Sequence, residues 1–236
     1  MKKFIPAKKN KNIYKDNNYY EVNYTGISKF LYFFNHKLLD FGVNKKYNKH
    51  IVEIGGGALS HLEYMNTKFI DSYTIIDSTI FKKKILKLKK KYPNINFKFI
   101  NYKKKNRIKK NFTRMIASHS FEHFDNFESN FLKLLNMMKK DSIISIALPC
   151  DPGLLWRFLQ YFSYLNQKKN YNWKNFKEKD LDDARDHITP VQNIYKIINY
   201  YFKSSKKIFF PLFIPIIEIN IFLIIQVELK KFIYKK

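Results

Sequence analysis

Three of the six glycines in this 236-residue chain stand side by side, Gly55-Gly56-Gly57, directly behind the apolar run Ile51-Val52-Glu53-Ile54. A plain tight turn rarely needs three consecutive residues without side chains. A strand-to-helix turn whose backbone must approach a ligand does, because a Cβ would collide there. The run therefore predicts a strand, a turn and a helix in that order, with a ligand held at the turn. The matching element comes 20 residues after Gly57, where Tyr73-Thr74-Ile75-Ile76-Asp77 reads as a buried strand ending on a carboxylate. A carboxylate at the tip of the second strand can accept hydrogen bonds from both ribose hydroxyls of a nucleoside.

The rest of the chain continues the alternation. Phe30, Leu31, Phe33, Phe34, Leu38 and Leu39 recur at helical spacing and predict a helix over 27–41. Helices are expected at 58–66, 80–92, 126–139 and 191–202, and strands at 95–100, 114–118, 143–148, 207–210 and 219–229. Strands alternating with helices imply a mostly parallel sheet covered on both faces. Two final strands without a helix between them imply a closing antiparallel hairpin. The expected fold is α/β, Rossmann-like and doubly wound, with seven strands. Residues 1–24 are polar and read as an arm, and 25–236 as one domain. Residues 151–190 break the alternation and read as an insert, or lid, over the sheet's carboxyl edge; they carry both tryptophans, Trp156 and Trp173.

Composition narrows the setting. A chain this long buries a sizeable core without staples, and its one cysteine, Cys150, makes no internal disulfide. That fits a reducing compartment, so the expected location is cytoplasmic. Cys150 lacks a neighbouring base in sequence and reads as packing. The start has no apolar stretch behind its charges, which argues against a signal peptide. The stretch 208–225 contains Pro211, Pro215, Glu218 and Asn220, which suits two buried strands around a bend better than a helix in lipid. The formal charge is +26, yet only four basic residues are arginine: Arg107, Arg114, Arg157 and Arg185. A phosphate reader uses arginine's planar fork. Lys, Asn, Ile, Phe and Tyr share A/T-rich codons, so base composition accounts for the lysines without a nucleic-acid partner.

The spacing from the glycines to Asp77 fits a nicotinamide dinucleotide and S-adenosylmethionine alike. The dinucleotide fingerprint wants a glycine at position 60, where this chain has Ser60. Glu53, two residues before the first glycine, suits a ligand with an ammonium group and repels a pyrophosphate. Both details favour S-adenosylmethionine.

Residues 52–59 resemble the first motif of class I S-adenosylmethionine-dependent methyltransferases, and 73–78 resemble their second. The segment 115–124, ending in His119-Ser120-Phe121-Glu122-His123-Phe124, is similar to the fourth-strand signature of a broad group that methylates small molecules and lipids. Residues 144–153, and Ala184-Arg185-Asp186-His187, resemble one of its subgroups. The resemblance covers about 48–229. It implies that Gly55, Gly56 and Gly57 line the cofactor and that Glu53 reaches its amino group. It further implies that Asp77 holds the ribose, that Asn101 reads adenine where relatives often carry an acid, and that Ser118 and His119 border the methionine part. Leu59 replaces the family's usual third glycine.

Other readings of the same residues compete. His119-Ser120-Phe121-Glu122-His123 matches the inverted zinc-protease pattern H-x-x-E-H. That reading needs a helix where a strand is expected and leaves the glycine run unexplained, so no metal ligands are assigned. His187 reads as a general base for a hydroxyl or amine acceptor, or as a surface histidine in a charged loop. Trp156, Phe158, Tyr161, Phe162 and Tyr164 can wall an apolar pocket, although at helical spacing some must face the core. The expected acceptor is a small molecule or a lipid- or sugar-linked intermediate. The alternatives are RNA methylation by the same fold and a non-catalytic cofactor-binding module.

Overall fold

The computed structural model describes residues 26–56, 61–78, 82–102, 111–171 and 173–233. The expected arm at 1–24, Gly57 and the first part of the helix expected at 58–66 lie outside the described residues.

Helix α1 (Gly26–Asp40) leads into β1 (His50–Ile54), β2 (Ser72–Asp77), α2 (Lys82–Lys91), β3 (Asn96–Asn101) and β4 (Phe112–Ser118). Then come α3 (Phe127–Leu135), β5 (Met138–Pro149), α4 (Leu154–Tyr171), α5 (Phe176–Asp186), α6 (Val191–Tyr201), β6 (Lys206–Phe210) and β7 (Phe222–Glu228). The seven strands form one sheet in the order β3-β2-β1-β4-β5-β7-β6. β1 to β5 run parallel, and β7 lies antiparallel between β5 and β6. This is the expected architecture, including the closing hairpin.

Why these segments pair is visible in their burial. β1, β4 and β7 are buried on both faces and mostly apolar, as a covered sheet requires. Val52, Ile54, Met115 and Ala117 meet Phe131, Ile194 and Ile198 of α3 and α6 on one face. Ile51, Tyr73, Ile75 and Ile116 meet Leu39 and Leu88 of α1 and α2 on the other.

Several boundaries differ from expectation; the last strand, expected at 219–229, runs Phe222–Glu228 behind a 3-10 turn at Ile217–Ile219, and the strand expected at 143–148 begins at Met138. His61–Tyr64, inside the helix expected at 58–66, is a short 3-10 turn. The backbone N–H of its first residue, His61, donates to the Glu53 carboxylate at 2.8 Å and ties the turn to β1. The helix expected to reach residue 139 stops at Leu135, because the Met137 carbonyl accepts from Asn111 and Phe112 and Met138 already pairs with Phe112 in the sheet. The connection 151–190 contains the helices α4 and α5, with α4 against the turn at Ile217–Ile219.

One charge sits in the middle of this core. Arg114, within β4, is wholly buried. Its guanidinium donates to Asp40 at 2.7 Å, Asn48 at 2.9 Å, the Leu39 carbonyl at 2.9 Å and Ser145 at 3.2 Å. Asp40 also accepts from His61 Nε2 at 3.1 Å. With that proton on Nε2, His61 Nδ1 is an acceptor, and His36 Nδ1 donates to it at 2.9 Å. Burial pushes the Asp40 carboxyl up, but His61 and Arg114 outweigh it and hold the group down at about 2. Burial keeps His61 neutral by lowering its pKa.

Because the folded pKa of Asp40 lies below its unfolded value, its contribution is present above about pH 4 and is lost as pH falls toward 2. That contribution is on the order of 2 kcal/mol. Asp40→Asn leaves a buried guanidinium without its counter-charge and should cost about 3–5 kcal/mol at pH 7. Urea unfolding at pH 7 and down to pH 2 measures both: the variant should be less stable and lose less on acidification. A wild-type midpoint at pH 7 would show that Asp40 does not neutralise Arg114.

Candidate functional site

The strand order reverses between β1 and β4, and open α/β sheets take their ligands beyond the carboxyl ends of the strands at such a point. Every described residue proposed from sequence for the cofactor lies on β1 to β4 at that edge or immediately past it.

Gly55 follows β1 with φ +76°, a conformation that side chains disfavour. A Cβ there would also come within 2.5 Å of the Ser120 side chain. At Gly56 a Cβ would meet the Glu53 carboxylate at 2.4 Å. Two of the three glycines are therefore demanded by the protein's own packing, in addition to any ligand. Glu53 is 2% exposed, beneath the turn. Its Oε2 accepts from the Tyr73 hydroxyl at 2.8 Å while Oε1 takes the His61 N–H. Sequence spacing had presented Glu53 as a ligand-facing acid; the structure also makes it an internal acceptor joining β1, β2 and the following turn.

Asp77 and Asn101 are register partners at the ends of β2 and β3, and both are half-buried. The Asn101 amide donates to the Ser78 carbonyl at 2.9 Å, and the Ser78 hydroxyl to Asp77 at 3.3 Å. A carboxylate and an amide therefore stand together on the two strands beyond β1 and its glycine turn.

Ser118 ends β4, and its hydroxyl accepts from Asn35 of α1 at 2.9 Å. His119 follows with φ 48°, its ring between Tyr32 and Phe222. Burial holds its pKa down at about 4, so the imidazole is neutral at physiological pH. Among the described residues, His119 Nε2, Ser120 Oγ and Asn35 Oδ1 are buried without a hydrogen-bond partner. Buried polar groups are normally satisfied. Orphaned polar atoms around the β4 exit fit a polar ligand such as the amino-acid end of S-adenosylmethionine. The carboxylate–amide pair on β2 and β3 fits its nucleoside end.

Past this edge, Glu122 and His123 lie in a 3-10 turn, Phe121–His123. That turn is tied to the segment after α5: Thr189 donates through its N–H to the Glu122 carbonyl at 2.9 Å and through its hydroxyl to the Phe124 carbonyl at 2.7 Å. His187 follows α5, with Nδ1 2.5 Å from Asp151 at the exit of β5. Burial lowers the His187 pKa, but the Asp151 bond and the carboxylates of Glu122 and Asp183 outweigh it, and the net shift is upward. The H-x-x-E-H pattern does not lie along one helix, since His119 is at a strand exit. Cys150 is buried and its thiol is pushed up to about 12, as packing requires.

The aromatic residues of α4 divide. Tyr164 packs with Trp173 and Phe176 in a small cluster, and Trp156 lies against the main core. Phe158, Tyr161 and Phe162 are largely exposed. Sequence reasoning missed Arg114 and its partners; a lone arginine inside an apolar strand, in a chain poor in arginine, was the available signal.

No family model and no curated protein sequence matches the chain. Solved structures do match its fold. The plantazolicin methyltransferase BpumL, in complex with SAH, superposes with a TM-score of 0.55 at 18% identity, over 90% of this chain and 86% of that one. The plantazolicin methyltransferase BamL, solved with a triazolic desmethylPZN analog and SAH, gives 0.56 at 15% identity over 90% of each chain. The CurJ carbon methyltransferase gives 0.58 at 12% identity, over 90% of this chain and 57% of the other. Strand order, closing hairpin and these superpositions agree: the chain has the fold of class I S-adenosylmethionine-dependent methyltransferases.

Proposed function

We propose that the chain is an S-adenosylmethionine-dependent methyltransferase acting on a small molecule or a lipid- or sugar-linked acceptor. The observation that supports it most is the convergence of the glycine turn, the Asp77–Asn101 pair and the orphaned polar atoms of the β4 exit on one sheet edge. Structural neighbours of the same fold were solved with SAH, the demethylated product of that cofactor.

When bound, the cofactor supplies an electrophilic methyl group on a positively charged sulfur. The residues of this chain bind and orient. Gly55 to Gly57 let the backbone approach. Asp77 accepts from the ribose hydroxyls, and Asn101 hydrogen-bonds the adenine. Glu53 supplies a buried carboxylate for the ammonium group. Ser118 and the neutral His119 border the methionine part, where an uncharged imidazole does not repel a sulfonium. His187, held by Asp151, meets the acceptor's heteroatom and takes its proton when one must leave. Alignment of acceptor, methyl carbon and sulfur does the rest.

Calorimetry with SAH and with NAD tests the cofactor. SAH should bind and NAD should not. Asp77→Ala should cost about 1.5–3 kcal/mol of SAH affinity through lost charge-assisted hydrogen bonds, with the fold retained. NAD binding without a response to SAH overturns the assignment, and unchanged affinity in the variant moves the ribose elsewhere.

The proton step has its own test. In the metal-free protein the His187 ring should titrate above the ordinary 6.5, and Asp151→Asn should bring it down. Histidine NMR, assigned with His187→Gln, reads this directly; an unmoved titration in Asp151→Asn removes the pair from the mechanism.

The acceptor class is tested by methyl transfer to total cellular RNA against a lipid and small-metabolite extract at several salt concentrations. Transfer to the extract is expected. Robust RNA labelling that falls steeply with salt would replace this acceptor with a nucleic acid.

A further inference from the structure

Three side chains that the mechanism above does not combine converge where it places the acceptor. One ligand-capable atom from each of Glu122, His123 and His187 lies within 4.8 Å of the other two. Both imidazoles are oriented from behind. His123 Nδ1 is 2.8 Å from the Asp186 carbonyl, and His187 Nδ1 is 2.5 Å from the Asp151 carboxylate. A carbonyl only accepts, so His123 carries a proton on Nδ1; the same tautomer at His187 gives Asp151 its donor. Nε2 is then the nitrogen each ring keeps for a ligand, and no hydrogen bond to it is seen among the described residues. Metal-bound histidines are held this way, the distal nitrogen donating to a carboxylate or a backbone carbonyl.

Glu122 completes the set. It is 3% exposed, and its Oε2 is buried with no hydrogen-bond partner among the described residues. A carboxylate oxygen left without a donor in the interior is costly. A cation satisfies it together with two imidazole nitrogens. His119 stands outside the set, its Nδ1 3.8 Å from the other Glu122 oxygen. The ligands are thus gathered by the fold, which brings the β4 exit to the end of α5, and not by helical spacing within H-x-x-E-H.

We propose that Glu122, His123 and His187 bind one divalent transition-metal ion of the zinc class, with an open position for the acceptor's oxygen or nitrogen. Two histidines and one carboxylate are a donor set of catalytic zinc sites, whereas magnesium and calcium prefer oxygen ligands throughout. The proposal rests on the acceptor placement above and deepens it. Binding the ion displaces any proton on Nε2. A hydroxyl coordinated to the ion gives up its proton to solvent more readily than a free one. With the ion bound, His187 would hold it in place of acting as the base, and the acceptor's proton would leave to solvent.

The experiment is titration of metal-free full-length protein with cobalt(II), followed by its visible absorption. One equivalent should saturate, and zinc should displace it. Asp151→Asn, which alters only the group behind His187, should weaken cobalt binding about 10–100-fold. His123→Ala, at an exposed position, should weaken it further. Circular dichroism checks that both variants fold, and if one does not, the other decides. Absence of saturable binding, or wild-type cobalt affinity in the folded variants, overturns the metal site. SAH calorimetry on the same samples keeps the two readings apart: SAH binding without cobalt binding removes the ion and leaves the methyltransferase, and the reverse leaves a metal site without one.

Discussion

The ion pair between Arg114 and Asp40 is the constraint around which the sheet and its first helix are arranged. A guanidinium in the middle of a buried strand is tolerable only if nearly all of its donors are met. Asp40, Asn48, Leu39 and Ser145 meet them, and they come from the end of α1, the turn before β1 and the neighbouring strand β5. The helix end, the turn and the two strands cannot shift independently without stranding a charge. Gln226 of β7 adds to the same anchorage by donating to the Leu39 carbonyl at 2.9 Å. The end of α1 is thereby fixed to both the parallel and the antiparallel parts of the sheet.

That anchorage extends to the ligand edge through His61. Its side chain is bonded to Asp40 and His36, and its backbone N–H to Glu53. Glu53 in turn receives the Tyr73 hydroxyl. A chain of polar contacts therefore runs from the core charge to the glycine turn. Its histidine stays neutral, so no imidazolium stands beside the Glu53 carboxyl. Under the proposed function a cationic ligand at this edge benefits from a buried carboxylate and from neutral rings nearby, and both His61 and His119 have that character.

Much of this was legible in the sequence, for a physical reason. The alternation of strands with helices, the glycine cluster and the carboxylate at residue 77 are local features, each fixed by a few neighbouring residues. Parallel strands also read as continuous apolar runs. What the sequence did not disclose depends on partners far along the chain. The helix expected at 58–66 is a 3-10 turn at His61–Tyr64 tied to Glu53 of β1, and α3 ends early because Met137 is drawn to residues 111 and 112. The partners of Arg114 stand up to 75 residues away. The pairing of His187 with Asp151, and the meeting of both with the β4 exit, likewise follow from topology and not from spacing.

Gly56 and Glu53 together restrict the routes by which this turn can change over generations. An alanine at 56 places its methyl carbon 2.4 Å from the Glu53 carboxylate, so it is tolerated only once that side chain has been shortened or displaced. Shortening Glu53 first takes an acceptor from the Tyr73 hydroxyl and from the His61 N–H, a loss of about 1–3 kcal/mol for each group left unmet. Neither single step is neutral, and the joint change calls for a third at residue 73. The turn is thus a ratchet in sequence space: the glycine persists because its neighbour is a glutamate, and the glutamate because it takes both the Tyr73 hydroxyl and the His61 N–H.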